Sequence, residues 1–155
     1  MKMIAGLVGW LALCQLPALV GMIYVQPNMA WYHSLVKPPL APPDWLFGVV
    51  WGVLYVVLGV AAAIAFCGGV QKSARVAFWL FLVQLALNAL WTPVYFGWHC
   101  FAGAALIIVL MLFEGIYLHR AFRRQSAVAA ALLWPYWGWL VFATYLTIAN
   151  WRLNG

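Results

Sequence analysis

Apolar residues run almost unbroken through five stretches of the chain, at about 4–25, 45–66, 75–98, 101–119 and 128–150. Each reaches the roughly 20 residues a helix needs to cross a bilayer, and in lipid a helix satisfies its own backbone. The separators differ in kind. A long proline-rich loop follows the first run, a Gly68-Gly69 turn with Lys72 the second, a tight Gly97 to Phe101 turn the third, and a loop with Arg120, Arg123 and Arg124 the fourth. The pattern predicts an all-α integral membrane protein: a five-transmembrane-helix bundle forming a single membrane domain over residues 1–155, with a long proline-rich loop between helices 1 and 2. An odd number of spans without matching interrupted helices argues against the inverted repeats of many transporters.

Composition agrees. Hydrophobic residues make up 68% of the chain and charged residues 6%, with a mean hydropathy of +0.99, where a soluble domain carries about a quarter charged residues. The net charge of +6 does not imply nucleic acid, because the basic residues are spread over helix ends and loops. Six of them (Lys2, Lys72, Arg75, Arg120, Arg123, Arg124) fall on the side of the N-terminus and two (Lys37, Arg152) on the other. That bias predicts a multi-pass protein with the N-terminus inside and the first loop outside, and the expected location is a bacterial membrane. The first run contains Gln15 and Pro17 and lacks a clear cleavage site, so it is read as a span, not a signal peptide. Cys14, Cys67 and Cys100 lack metal-site spacing, and the topology puts Cys67 and Cys100 on opposite faces, too far apart for a disulfide.

Eleven tryptophans exceed what packing needs. Trp10, Trp31, Trp45, Trp98 and Trp151 fall near predicted span ends, where an indole anchors at the headgroup level. Trp51, Trp91 and Trp139 fall deeper, where the indole N–H needs a partner. On the third helix Gln84, Asn88, Trp91, Thr92 and Tyr95 share an arc of roughly 100°. On the fifth, Tyr136, Trp139, Ala143, Thr147 and Asn150 share one about 80° wide, and on the second Phe47, Gly48, Trp51 and Tyr55 align likewise. A buried amide unpaired in lipid is costly, so these faces must look at other helices or at a cavity. Their convergence fits a ligand pocket, mostly aromatic with a few placed polar groups. Helices one and four are expected to be scaffold. Gly48 and Gly52 read as a small-residue pair for close helix packing.

The first loop, Gln26 to Trp45, contains five prolines yet carries apolar Trp31, Tyr32, Leu35, Leu40 and Trp45. It is expected to fold over the pocket as a lid in which Lys37, Pro38, Pro39, Pro42, Pro43 and Trp45 take part, with proline lowering the entropic cost of one shape. Glu114 is the only acid inside a span, expected near the inner face close to His119 or Arg120 as a protonated or snorkelling side chain. No nucleophile paired with a base, metal-ligand cluster or phosphate-binding glycine loop is present. Of the histidines only His33 is near the lid.

The segments WYHSLVKPPLAPPDWLFGVVWGVLY, QLALNALWTPVYFGW and PYWGWLVFATYL resemble the tryptophan-rich sensory protein/translocator protein family, also called the peripheral benzodiazepine receptor family (TspO/MBR). The likeness covers most of the chain from Trp31 onward. It implies a five-helix bundle, often a homodimer, that binds protoporphyrin IX or haem, and sterol-like lipids, under the first loop. By position Trp31 and Tyr32 belong to the lid side and Trp51, Asn88, Trp91, Trp139 and Ala143 to the pocket. Departures are Val49 where the family often has proline, so that helix two is expected to be straighter, Leu40 for a loop aromatic, and Thr147 for an asparagine. A sterol pattern fits Leu112, Tyr117 and Arg120 on helix four, since Tyr145 and Arg152 are too far apart for it.

The expected function is that of a membrane receptor or sensor for tetrapyrroles, needing no cofactor and no metal. Its ligand-binding residues are Trp31, Tyr32, Trp51, Tyr55, Gln84, Asn88, Trp91, Tyr136, Trp139, Ala143 and Thr147. The alternative is a light- and oxygen-dependent porphyrin-degrading enzyme using Trp31, Trp51 and Trp139. Transport of porphyrin or lipid has the least support, because no charged relay is visible.

Overall fold

Prolines mark where the first span is divided. The computed structural model describes residues 2–66, 70 and 72–155; Cys67 and the Gly68-Gly69 turn lie outside the described residues. The first span comprises α1 (Lys2–Cys14), α2 (Leu16–Val25), a 3-10 turn (Gln26–Asn28) and α3 (Met29–Ser34). Pro17 sits in the first turn of α2 and Pro27 in the 3-10 turn. At a helix start the missing N–H of proline leaves no bond unmade, so the chain stays helical through each. The expected end near residue 25 is therefore corrected to Ser34, and Trp31 and Tyr32 lie on a helical turn, not in a loop.

The loop proper, 35–43, begins where Leu35 turns extended (φ −70°, ψ 145°) ahead of Pro38 and Pro39. The second span, α4 (Asp44–Ala65), runs without a break through Val49. The third, α5 (Arg75–Thr92), ends in a π-turn at Pro93–Gly97, closed by Trp98 N–H donating to the Pro93 carbonyl at 2.9 Å. The fourth, α6 (Phe101–Gln125), starts after His99, whose φ of 53° reverses the chain, and Cys100 Sγ caps it by accepting from Gly103 N–H at 3.4 Å. It continues beyond the expected residue 119, so Arg120, Arg123 and Arg124 occupy its last turns, where cations suit the carbonyl end of the helix. The fifth span is α7 (Ala127–Ala131) and α8 (Trp134–Asn154).

These five spans are long and apolar enough to cross a membrane. Side chains such as Leu19, Ile23, Val83, Leu106, Phe113 and Val141 point outward, as lipid-facing helix surfaces do. Inside, Trp10, Phe66, Phe78, Phe81 and Phe122 form an aromatic core toward the α4–α5 connection. Trp10 is thus a packing residue, not an interfacial anchor. Trp45, Trp98 and Trp151 are exposed. The contacts α1–α4, α2–α5, α5–α6 and α6–α8 close the bundle, whereas α4 meets α8 at few places.

Candidate functional site

Where α4 draws away from α8, a cavity of about 670 Å³ opens among α2, α4, α5 and α8. Its size falls within the about 300–1,000 Å³ typical of small-molecule sites. Trp51 and Tyr55 face it from α4, Asn88 and Trp91 from α5, and Trp139, Ala143 and Thr147 from α8. The three stripes expected from the sequence therefore converge.

Two further walls had not been assigned. The first span supplies Pro17, Gly21, Val25 and Met29, and α6 supplies Ile108 and Met111, so neither is mere scaffold. The four-residue steps from Pro17 to Val25, small residues first, were the available signal. Gly48 and Gly52 also line the cavity, and a Cβ at either would meet nothing within 4 Å. They make room instead of making a helix contact, which corrects the packing expectation.

The aromatic surfaces have fixed orientations. Trp51 stacks on Tyr55 at 5.3 Å and 26° and meets Trp139 edge to face at 6.4 Å and 89°. Trp91 stacks on Tyr95 at 4.8 Å and 16°. Trp91 Nε1, Tyr95 Oη, Trp139 Nε1 and Asn150 Oδ1 belong to lining residues, and none of these buried atoms has a hydrogen-bond partner in the protein. Such groups are costly to bury unmade.

Gln84 and Tyr136, expected to touch ligand, lie one layer behind the wall. Tyr55 Oη donates to Asn88 Oδ1 at 2.9 Å, Asn88 Nδ2 lies 3.0 Å from Tyr136 Oη, and the Gln84 amide lies 2.8 Å from the same hydroxyl. The other end of that amide meets the Glu114 carboxyl. Glu114 is therefore held by α5, not by His119 or Arg120; the His119 ring packs against Trp134 instead. A helical period placed Gln84 and Tyr136 on the correct faces but could not tell a cavity wall from the layer supporting it.

Trp31 does not line the cavity. Its ring stacks on His99 at 3.8 Å and contacts Tyr95 and Phe101, clamping α3 to the start of α6. Tyr32, one residue on, does line it. Of the loop, Ala41 reaches the cavity together with Asp44 and Trp45 at the start of α4, while Lys37, Pro38, Pro39, Pro42 and Pro43 do not. The loop is tied down at both ends. Asn154 accepts from Val36 N–H at 2.8 Å and donates to its carbonyl at 3.1 Å, Tyr145 Oη donates to the Pro39 carbonyl at 2.8 Å, and His33 Nε2 meets Asp44 Oδ2 at 2.7 Å. Lys37 Nζ donates to the Tyr32 carbonyl at 2.5 Å and lies over its ring. Burial pulls the Lys37 ammonium below the usual lysine range, against an opposing pull from Asp44. Among the described residues no group of three or more metal-ligating side chains occurs.

The chain matches the TspO/MBR family over residues 9–152. It belongs to that family. Similar members include the tryptophan-rich protein TspO of Chlorobaculum tepidum, 36% identical over 99% of this chain and 98% of that protein. Protein CrtK of Rhodobacter capsulatus is 38% identical over 81% of this chain and 79% of its own. The translocator protein of Homo sapiens is 36% identical over 82% of this chain and 76% of its own. The TspO/MBR chain described here is thus an integral, multi-pass membrane protein, and the apolar outward faces of its spans are its lipid contacts.

Proposed function

We propose that this TspO/MBR protein is a membrane receptor for a flat aromatic ligand of the tetrapyrrole class, protoporphyrin IX or haem, held in the cavity among Trp51, Trp91 and Trp139. The observation that carries the reading is the cavity itself: about 670 Å³, walled by indoles at fixed angles. Flat π surfaces stack on such walls. Binding needs no covalent step. The distribution of lysine and arginine supports an N-terminus on the cytosolic side and the loop 35–43 on the other.

Titration with protoporphyrin IX should quench tryptophan fluorescence saturably. Trp51→Ala combined with Trp139→Ala should weaken binding by about tenfold or more, since each aromatic contact is worth roughly 0.5–1.5 kcal/mol beyond its area. Unchanged affinity in that double variant argues against this site.

The ring contacts also support a second reading, in which bound porphyrin, excited by light in the presence of oxygen, is oxidised beside Trp51 and Trp139. Trp31 stands apart from these two, beyond Tyr95. New absorbing products on illumination in air, absent in the dark, would support it; bleaching identical to that of free porphyrin would refute it.

A further inference from the structure

A line of side-chain hydrogen bonds leads from the cavity wall to the acid of the fourth span. Tyr55 on α4, Asn88 and Gln84 on α5, and Tyr136 on α8 are each at most 4% exposed. Consecutive polar atoms lie 2.9, 3.0 and 2.8 Å apart, and Gln84 then meets Glu114 Oε2 on α6. Tyr55 and Asn88 line the cavity; Gln84, Tyr136 and Glu114 do not.

Every intermediate member can both donate and accept, because a hydroxyl does so through one atom and an amide through its two ends. The line can therefore be satisfied in two directions. A carboxylate at Glu114 only accepts. Gln84 Nε2 then donates to it and to the Met111 carbonyl at 3.3 Å, Tyr136 donates to Gln84 Oε1, Asn88 Nδ2 donates to Tyr136, and Tyr55 donates to Asn88 Oδ1. In that direction the Tyr55 hydrogen is committed to Asn88 Oδ1, and the Tyr55 hydroxyl offers a ligand only lone pairs.

A carboxylic acid at Glu114 reverses the sequence. It donates to Gln84 Oε1, the amide turns over, and Gln84 Nε2 donates to Tyr136. Tyr136 then donates to Asn88 Oδ1, Asn88 Nδ2 donates to Tyr55 Oη, and the Tyr55 hydrogen is released toward the cavity. Both amides, Gln84 and Asn88, exchange the places of their oxygen and nitrogen, which are nearly the same size, and no other non-hydrogen atom need move.

We propose that Glu114, acting through Gln84 and Tyr136, is a positioning residue that sets whether the cavity wall at Tyr55 offers a ligand a hydrogen-bond donor or only an acceptor. The acid form selects ligands with a carbonyl or carboxylate oxygen at Tyr55, and the carboxylate form those with an N–H or O–H there. Ionisable groups on the elements packed against Glu114 are few. The third span brings Arg75 and Tyr95, the fifth brings Tyr136, Tyr145 and Arg152, and α6 itself adds Tyr117, His119, Arg120, Arg123 and Arg124. Among them Tyr136 is the one joined to Glu114 through Gln84.

The inference rests on the cavity being the ligand site, and its test separates the two. The probe is protoporphyrin IX dimethyl ester, whose ester oxygens accept and do not titrate, bound to the full chain in detergent micelles from about pH 5 to about pH 9, a range in which buried carboxyls titrate. Wild-type affinity should fall with rising pH by about three- to tenfold, the worth of one hydrogen bond. Glu114→Gln, which donates to Gln84 Oε1 at every pH, should hold the low-pH affinity throughout. Tyr55→Phe should bind at the weaker, high-pH level without a step. A flat wild-type profile, or a step that persists in either variant, overturns the proposal while leaving the cavity reading intact. If the wild type does not bind the ester saturably, the cavity reading fails instead. The line can then be tested alone: the infrared carboxylic C=O band lost in Glu114→Gln should shift in Tyr136→Phe, and an unshifted band overturns it.

Discussion

Gly59 on α4 lies directly against Leu11 on α1: a Cβ at Gly59 would stand 3.0 Å from Leu11 Cα and 2.8 Å from its Cδ2. On the same helix Gly48 and Gly52 face the cavity, with nothing within 4 Å of the corresponding Cβ positions. One glycine serves packing and two serve volume. Gly59→Ala should lower stability by about 1–3 kcal/mol, the range for overpacking, seen as a lower Tm. Gly52→Leu should melt at or above the wild-type Tm but bind protoporphyrin IX more weakly, because its side chain takes up cavity space. Equal melting of Gly59→Ala and wild type, or unchanged binding by Gly52→Leu, would refute this division.

The loop 35–43 is fastened to α8 by Asn154 and Tyr145. Asn154→Ala and Tyr145→Phe should each remove about 1 kcal/mol of loop closure. Limited proteolysis should then cut within 35–43 several times faster, and bound protoporphyrin IX should dissociate faster, with little change in Tm. Loop cleavage at the wild-type rate would show that these bonds do not hold it.

Lys37 gives the loop a pH dependence whose sign is fixed. Its folded pKa is lowered, so the unfolded chain binds more protons between that value and the ordinary 10.5. Stability of the loop should therefore rise as pH increases through that window. In NMR of the isotopically dimethylated protein, the Lys37 resonance should titrate below the ordinary lysine value of 10.5. Titration at or above it would contradict the burial of the ammonium.

The five spans were legible because lipid demands long, apolar, self-satisfied segments, and few other folds permit them. The stripe of Asn88 and Trp91 and that of Trp139 and Ala143 were legible for the same reason: in so apolar a chain, polar and aromatic positions recurring every three or four residues cannot face lipid. Pro27 misled, because proline stops a helix only in its interior and here it opens a 3-10 turn that passes into α3. Trp31 was consequently placed in a lid when it stacks on His99 as a clamp. Glu114 was assigned to its sequence neighbours because its partner Gln84 is a contact between spans, which no spacing along one helix reveals.

The central claim is that the cavity among α2, α4, α5 and α8 is where a tetrapyrrole binds. Its most direct test is an experimental structure of the protein in a lipid nanodisc with protoporphyrin IX. The account predicts the macrocycle between Trp51, Trp91 and Trp139. A macrocycle on an outer, lipid-facing surface, with the cavity unchanged, would contradict it.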